Sequence, residues 1–193
     1  MKTKIIFILF TLYSSIVYCQ NFEGFKGFLI TNNNDTIQCT YSSISNIFKK
    51  SMFNPARLNN KVEIVKDSIY TKYKPKDLKS FLITNPRGTG DFKFVSSQFD
   101  GYKHFYQEIA IGRISWYRTY YQDSYAMEHQ LDVLVKNNKK VKIGSFSRRK
   151  DLGTIIEDYP ELYEIWMNSD NYKVHQFGVV LQQYNKHFEN ISK

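Results

Sequence analysis

The side chains of this 193-residue chain that could exchange protons, ligate a metal or attack a carbon atom are few and scattered. Four histidines stand at positions 104, 129, 175 and 187, and no two of them are three to five residues apart. A zinc protease needs two histidines on one helical face with a glutamate between them, which Glu128-His129 does not provide. Cys19 and Cys39 make no pair of the kind that cysteine-bound zinc requires. There is no Gly-x-Ser-x-Gly elbow for a serine nucleophile. Gly88 and Gly90 are followed by neither Gly-Lys-Ser/Thr nor a helical pattern, so the segment from Asn85 to Asp91 reads as a turn and not as a phosphate cradle. Any of the 18 carboxylates could pair across a fold, as glycosidases require, but no spacing selects two of them. No cofactor and no metal site is therefore expected. A hydrolase whose site is assembled only by the fold stands as the alternative function.

The pattern with the most specific use is Trp116-Tyr117-Arg118-Thr119-Tyr120-Tyr121. On a strand, side chains alternate between faces, so Trp116, Arg118 and Tyr120 share one side while Tyr117 and Tyr121 take the other. An aromatic row with an arginine in it can stack on a sugar ring or anchor a protein partner, and Trp116, Arg118 and Tyr120 are the candidate partner surface. Cross-strand aromatic packing is the competing reading of the same row.

The elements that must carry these residues are mostly strands. Gly24 to Thr31, a polar turn at Asn32-Asn33-Asn34-Asp35, and Thr36 to Tyr41 spell a hairpin. Residues 42 to 60 are polar, with Pro55, and are expected as a loop with a short irregular strand. Lys61 to Tyr73 alternates as a second hairpin turning at Lys66-Asp67. Strand patterns follow at Ser80 to Thr84, Phe92 to Ser96 and, with a turn or bulge at Gly112, Phe105 to Tyr121. Leu131 to Val135 and Lys140 to Gly144 flank another Asn-rich turn. After Ser147 the apolar period changes to that of a helix. Leu152, Ile155, Ile156 and Tyr159 mark a first one, Leu162, Ile165 and Trp166 a second opened or preceded by Pro160, and Val174, Phe177, Leu181, Tyr184 and Phe188 a third capped by Asp170. The expected class is α+β: an antiparallel, hairpin-built sheet with two or three C-terminal helices docked on it.

The chain opens as an export signal does. Lys2 and Lys4 precede an apolar stretch from Ile5 to Tyr13, interrupted at Thr11 and too short to span a membrane, which takes about 20 residues. Val17 and Cys19 suit the −3 and −1 positions of a cut before Gln20. Residues 1–19 are thus expected to be a signal peptide and residues 20–193 a single α+β domain. In the rival reading Cys19 carries a lipid, but Tyr18 stands where lipoproteins place a small residue. Losing Cys19 leaves Cys39 alone, so no intrachain disulfide forms, and its strand context fits a small buried hydrophobe.

Removing Lys2 and Lys4 leaves 25 basic against 18 acidic residues, a net charge of +7. The basic residues fall in short groups among acidic ones, and an exported protein does not meet nucleic acid. Gly27-Phe28-Leu29-Ile30-Thr31, Asn34-Asp35-Thr36-Ile37, Lys150-Asp151-Leu152, Tyr159-Pro160-Glu161-Leu162 and Tyr184-Asn185 together resemble a loose group of uncharacterised secreted proteins of Gram-negative bacteria. That resemblance implies export and an α+β fold, and it brings no activity with it. The expected function is a secreted, periplasmic or cell-envelope protein, non-enzymatic, that binds an envelope protein or an anionic surface polysaccharide. After signal cleavage no transmembrane anchor is expected.

Overall fold

The computed structural model describes residues 24–42, 53–88, 90–99, 101–124, 127–168 and 171–191; the expected signal peptide, with its cut between Cys19 and Gln20, lies outside them. The described chain is an antiparallel sheet followed by helices, the α+β arrangement that the pattern of strands and late helices predicts. Its strands are β1 (Phe25–Thr31), β2 (Thr36–Tyr41), β3 (Val62–Lys66), β4 (Ile69–Tyr73), β5 (Leu78–Ile83), β6 (Phe92–Ser97), β7 (His104–Ala110), β8 (Ser115–Gln122), β9 (Glu128–Lys136) and β10 (Lys139–Ile143). They form a single sheet in the order β10-β9-β8-β7-β6-β5-β1-β2-β3-β4, so two meanders meet where β5 lies beside β1.

The hairpins follow from their turn residues. Asp67 and Ser68, one position beyond the expected Lys66-Asp67 turn because Lys66 still pairs with Ile69, have φ of 50° and 65°, and Asn137 and Asn138 have φ of 47° and 67°, so each turn places two successive residues in the left-handed region. A two-residue turn of this twist matches the twist of the strands, and Asn and Asp tolerate it better than other side-chain-bearing residues. The crossover from β4 to β5 is fixed by Asp77, whose carboxylate accepts from Lys74 N at 2.8 Å, and Asn32 Nδ2 holds it to the first hairpin by donating to Lys76 O at 2.6 Å.

The expected 42–60 loop is described only at Ser42 and from Phe53 onward. There it is a 3₁₀ turn at Pro55–Leu58, capped by Asn54 Oδ1 accepting from Ala56 N at 3.0 Å, with Pro55 at the position where a missing N–H costs nothing. The helices are α1 (Arg148–Ile156), α2 (Pro160–Asn168) and α3 (Phe177–Ile191). Pro160 begins α2. The third helix starts later than its apolar spacing predicts: Lys173 N donates to Gln176 Oε1 at 2.8 Å, closing a 3₁₀ turn over Val174–Gln176, and Val174 stays 39% exposed. Asp170, the expected cap, lies outside the described residues. Ile165 also departs from the expected buried face, because α2 is oriented by Trp166, which donates from Nε1 to Arg149 O at 2.7 Å and turns Leu162 inward with it.

Two apolar clusters cover one face of the sheet. The first gathers Leu29, Tyr41, Ile64, Phe81, Ile83, Phe94 and Phe105 from the strands, closed over by Phe53 and Leu58. The second gathers Ile114, Leu134 and Ile143 under Leu152, Ile155, Trp166, Val180, Leu181 and Tyr184 of the helices.

Candidate functional site

The pairing registers run one continuous row of side chains across eight strands: Ile37, Leu29, Phe81, Phe94, Gln107, Arg118, Asp132 and Ile143. Directly paired residues point to the same face, so the row is apolar at both ends and polar in the middle. The polar stretch lies where the two clusters meet, and it includes the arginine of the sequence-derived candidate surface.

Asp132 is 3% exposed and accepts three hydrogen bonds: from Trp116 Nε1 at 2.8 Å, from Arg118 Nε at 2.7 Å and, on its other oxygen, from Arg118 Nη2 at 3.2 Å. Burial alone would depress the Arg118 guanidinium, but its bond and attraction to Asp132 outweigh that and raise it above the usual arginine range. Tyr120 is buried and donates to Gln107 Oε1 at 2.5 Å. Burial pushes its phenol above the ordinary value, against the pull of Arg118 beside it. Gln107 and Asp132 are thus both partnered, as buried polar groups must be to avoid a desolvation cost.

Trp116, Arg118 and Tyr120 do share one face, and their chemistry is directed inward. Arg118 stacks over the Trp116 ring at 5.2 Å, Trp116 meets Phe177 of α3 at 4.8 Å, and Arg148 of α1 stacks on Phe177 at 5.1 Å with a buried Nε that has no hydrogen-bond partner among the described residues. Trp116 and Arg118 are half-buried, and Tyr121 on the opposite face is exposed. Alternation along the row gives the shared face but leaves partner surface and cross-strand packing both open, because it carries no information about Asp132. The signal that was legible is a lone carboxylate within Leu131-Asp132-Val133-Leu134-Val135, since a charge inside an apolar strand must find a partner.

A second polar cluster ties the helices to the sheet. Asp158, in the connection between α1 and α2, accepts from Lys136 Nζ at 2.5 Å, from Tyr184 Oη at 2.9 Å and from Arg113 Nη2 at 3.3 Å. Partial burial raises its pKa, but the hydrogen bonds from Lys136, Tyr184 and Arg113 win and hold it below the usual carboxylate range. Asn185 completes the tie, accepting from Ile114 N and donating to Ile114 O, both at 2.9 Å. Gly112 is required there because a Cβ would stand 2.6 Å from the Asn185 amide. Burial raises the Tyr184 phenol as well. A general acid or base works best with a pKa near the operating pH, whereas these shifts drive Asp158 further toward carboxylate and Tyr184 further toward neutral phenol. The cluster is built to stay in one protonation state. Nothing in the sequence pattern joins Asp158 to Tyr184, which only the packing of α3 brings together.

Phe99 covers part of the other face of the sheet. Phe99 lies against Tyr106 at 4.8 Å and Tyr117 at 4.6 Å, and Lys140 Nζ sits 5.7 Å over the Phe99 ring, which leaves Tyr106 and Val133 without exposure. Across β1, β2 and β3 none of the described residues covers that face, which holds a groove of about 420 Å³ lined by Lys26, Phe28, Gln38, Thr40, Val65, Lys66, Asp67 and Thr84. Polar Gln38 and Thr40 of the central strand β2 form its middle, with Phe28 of β1 and Val65 of β3 to either side. Cys39, which also borders the groove, is half-buried, and burial pushes its thiol above the ordinary range, away from the thiolate a nucleophile needs. Among the described residues no three His, Cys, Asp or Glu side chains are grouped to hold a metal ion. No described helix is long and apolar enough to cross a membrane. No protein-family model, curated protein or solved structure matches this chain.

Proposed function

We propose that this chain is an exported, non-enzymatic binding or accessory protein of the cell envelope or extracellular space, and that it docks a protein partner on the grooved face of β1, β2 and β3. The observation that carries the reading is a contrast in how polar groups are used. Asp132, Arg118, Tyr120, Asp158 and Tyr184 spend hydrogen bonds on neighbouring side chains of the same chain. The groove, by contrast, is a surface feature in which apolar Phe28 and Val65 flank polar Gln38 and Thr40, the mixed composition that a protein interface shares with the rest of a protein surface. Lys26 and Lys66 stand there against Asp67, a near-balance that fits mixed side chains better than a polyanion. A hydrolase assembled by the fold draws less support, because the Asp158 and Tyr184 shifts run away from neutrality.

The test is a tagged pull-down from mildly solubilised native envelopes at low and high salt, using the parent chain and a Gln38→Arg/Thr40→Arg double variant that fills the groove. A companion that survives high salt and, once repurified, binds the parent at least about tenfold more tightly than the variant is expected. A companion held equally by the variant would move the site elsewhere. Polyanions captured only at low salt would replace the protein partner with a surface polysaccharide, and an empty lane at both salts would overturn the binding reading.

A further inference from the structure

The strand β4 ends the sheet, and nothing among the described residues pairs with its outer side. It also carries two adjacent, strongly exposed apolar side chains, Ile69 at 66% and Tyr70 at 75%. Which backbone groups face outward follows from the ladder. Ser42 N donates to Glu63 O at 3.1 Å, so Glu63 and Val65 direct their backbone groups toward β2 while Val62, Ile64 and Lys66 direct theirs toward β4. The partners of those three, Tyr73, Thr71 and Ile69, are spent inward. Backbone donors and acceptors alternate along an antiparallel strand, so Tyr70 and Lys72 present theirs off the edge of the sheet.

We infer that β4 pairs with β4 of a second copy of this chain, antiparallel, with Thr71 on the two-fold axis. A two-fold pairing must set outward groups against outward groups, which leaves three registers. Lys72 against Lys72 of the second copy opposes two ammonium groups. Tyr70 against Tyr70 of the second copy draws Ser68 into the ladder, and Ser68 is held at φ 65° by its turn. Tyr70 against Lys72 of the second copy makes four backbone hydrogen bonds, sets each ammonium beside a tyrosine ring and lays each exposed Ile69 opposite Tyr73 of the other chain. The edge is therefore self-complementary in one register, as a closed isologous interface requires. The lysine, which on an edge strand ordinarily repels a neighbour, becomes the residue that selects the register. This pairing uses neither the groove nor the polar row and stands apart from the binding reading above.

In a Cys39→Ser background, Thr71→Cys and Lys72→Cys are compared under mild oxidation. Residues facing each other across a two-fold axis in a pair without backbone hydrogen bonds have Cα atoms about 4.5 Å apart, within disulfide reach. Thr71→Cys is expected to give a covalent dimer at least about tenfold faster than Lys72→Cys, whose facing residue is Tyr70. Sedimentation equilibrium of the parent is expected to show a monomer–dimer equilibrium below about 1 mM, and Tyr70→Pro to abolish it. That variant keeps the fold because the lost N–H points away from β3. Equal cross-linking at positions 71 and 72, or a parent that stays monomeric to about 1 mM, would overturn the pairing.

Discussion

The two ends of the eight-strand row solve the same problem by different means. At the β1, β5 and β6 end the sheet supplies its own bulk: Phe81 stacks on Phe94 at 4.8 Å and meets Phe105 edge-on at 4.9 Å, and a single 3₁₀ turn with Phe53 suffices to close it. At the β9 and β10 end the strands contribute smaller residues and the helices bring Trp166, Phe177 and Tyr184 down onto them. Aromatic strands need little cover, because each ring already buries much of its neighbour. Aliphatic strands need a second layer, and that layer must be fixed in place by polar ties such as Asp158 with Lys136 and Asn185 with Ile114. Between the two ends, Gln107, Arg118 and Asp132 form a polar boundary, bonded to Tyr120 of one cluster and to Trp116 beside the other.

The sharpest way to break the sheet-lined half is Gly27→Ala. Tyr41 reaches across Gly27 to donate to Phe28 O at 2.7 Å, and a Cβ at that position would stand 1.9 Å from Leu82 O and 3.0 Å from the tyrosine ring. The expected loss exceeds about 4 kcal/mol, because β1 can no longer approach β5. A melting temperature within about 5 °C of the parent would sink this account.

In the helix-covered half, Trp166→Ala removes a fully buried indole and its bond to Arg149 O, an expected cost of about 4 kcal/mol. If the halves differ as described, hydrogen exchange should show α1 and α2 losing protection before β5 and β6; simultaneous loss would mean that the helices are no separate layer.

At the boundary, Asp132→Ala leaves the Arg118 cation and the Trp116 N–H without their acceptor and should cost about 3 kcal/mol in chemical denaturation. A neutral result would show that the polar row is solvated and holds nothing. Tyr120→Phe, which strands Gln107 Oε1, should cost about 1 kcal/mol by the same measurement, and no change would deny that bond a role.

The smallest effect is a pH dependence. Asp158 binds its proton less tightly in the native chain than in the unfolded one, so on acidification the unfolded chain protonates first. Its stabilisation is complete above the unfolded value of about 3.9 and is lost as pH falls through the lowered native value. Comparing the acid limb of the parent with that of Asp158→Asn should show a shallower loss of stability in the variant. Superimposable limbs would remove Asp158 from the tie between helix and sheet.

Much of the fold was readable before any coordinates. Period-two runs and Asn- or Asp-containing turns located the hairpins, since both reflect local geometry that the residues impose on themselves. Helix starts were less legible: the apolar spacing carried α3 back to Val174, but the side chain of Gln176 closes a tighter turn there. The candidate row at Trp116, Arg118 and Tyr120 had its shared face right from alternation alone, yet alternation cannot say which face is covered.

By itself the chain determined the strands, their turns, the change to helical period after Ser147 and the pairing of side chains to faces, because each depends on residues a few positions apart. Tertiary structure alone decided that Asp132 would take up Trp116 and Arg118, that Asp158 would meet Tyr184 from a distant helix and that β4 would stand last in the sheet among the described residues. Those outcomes depend on strand order and helix docking, which are set by burial summed over the whole sheet and so have no signature in any short stretch of sequence.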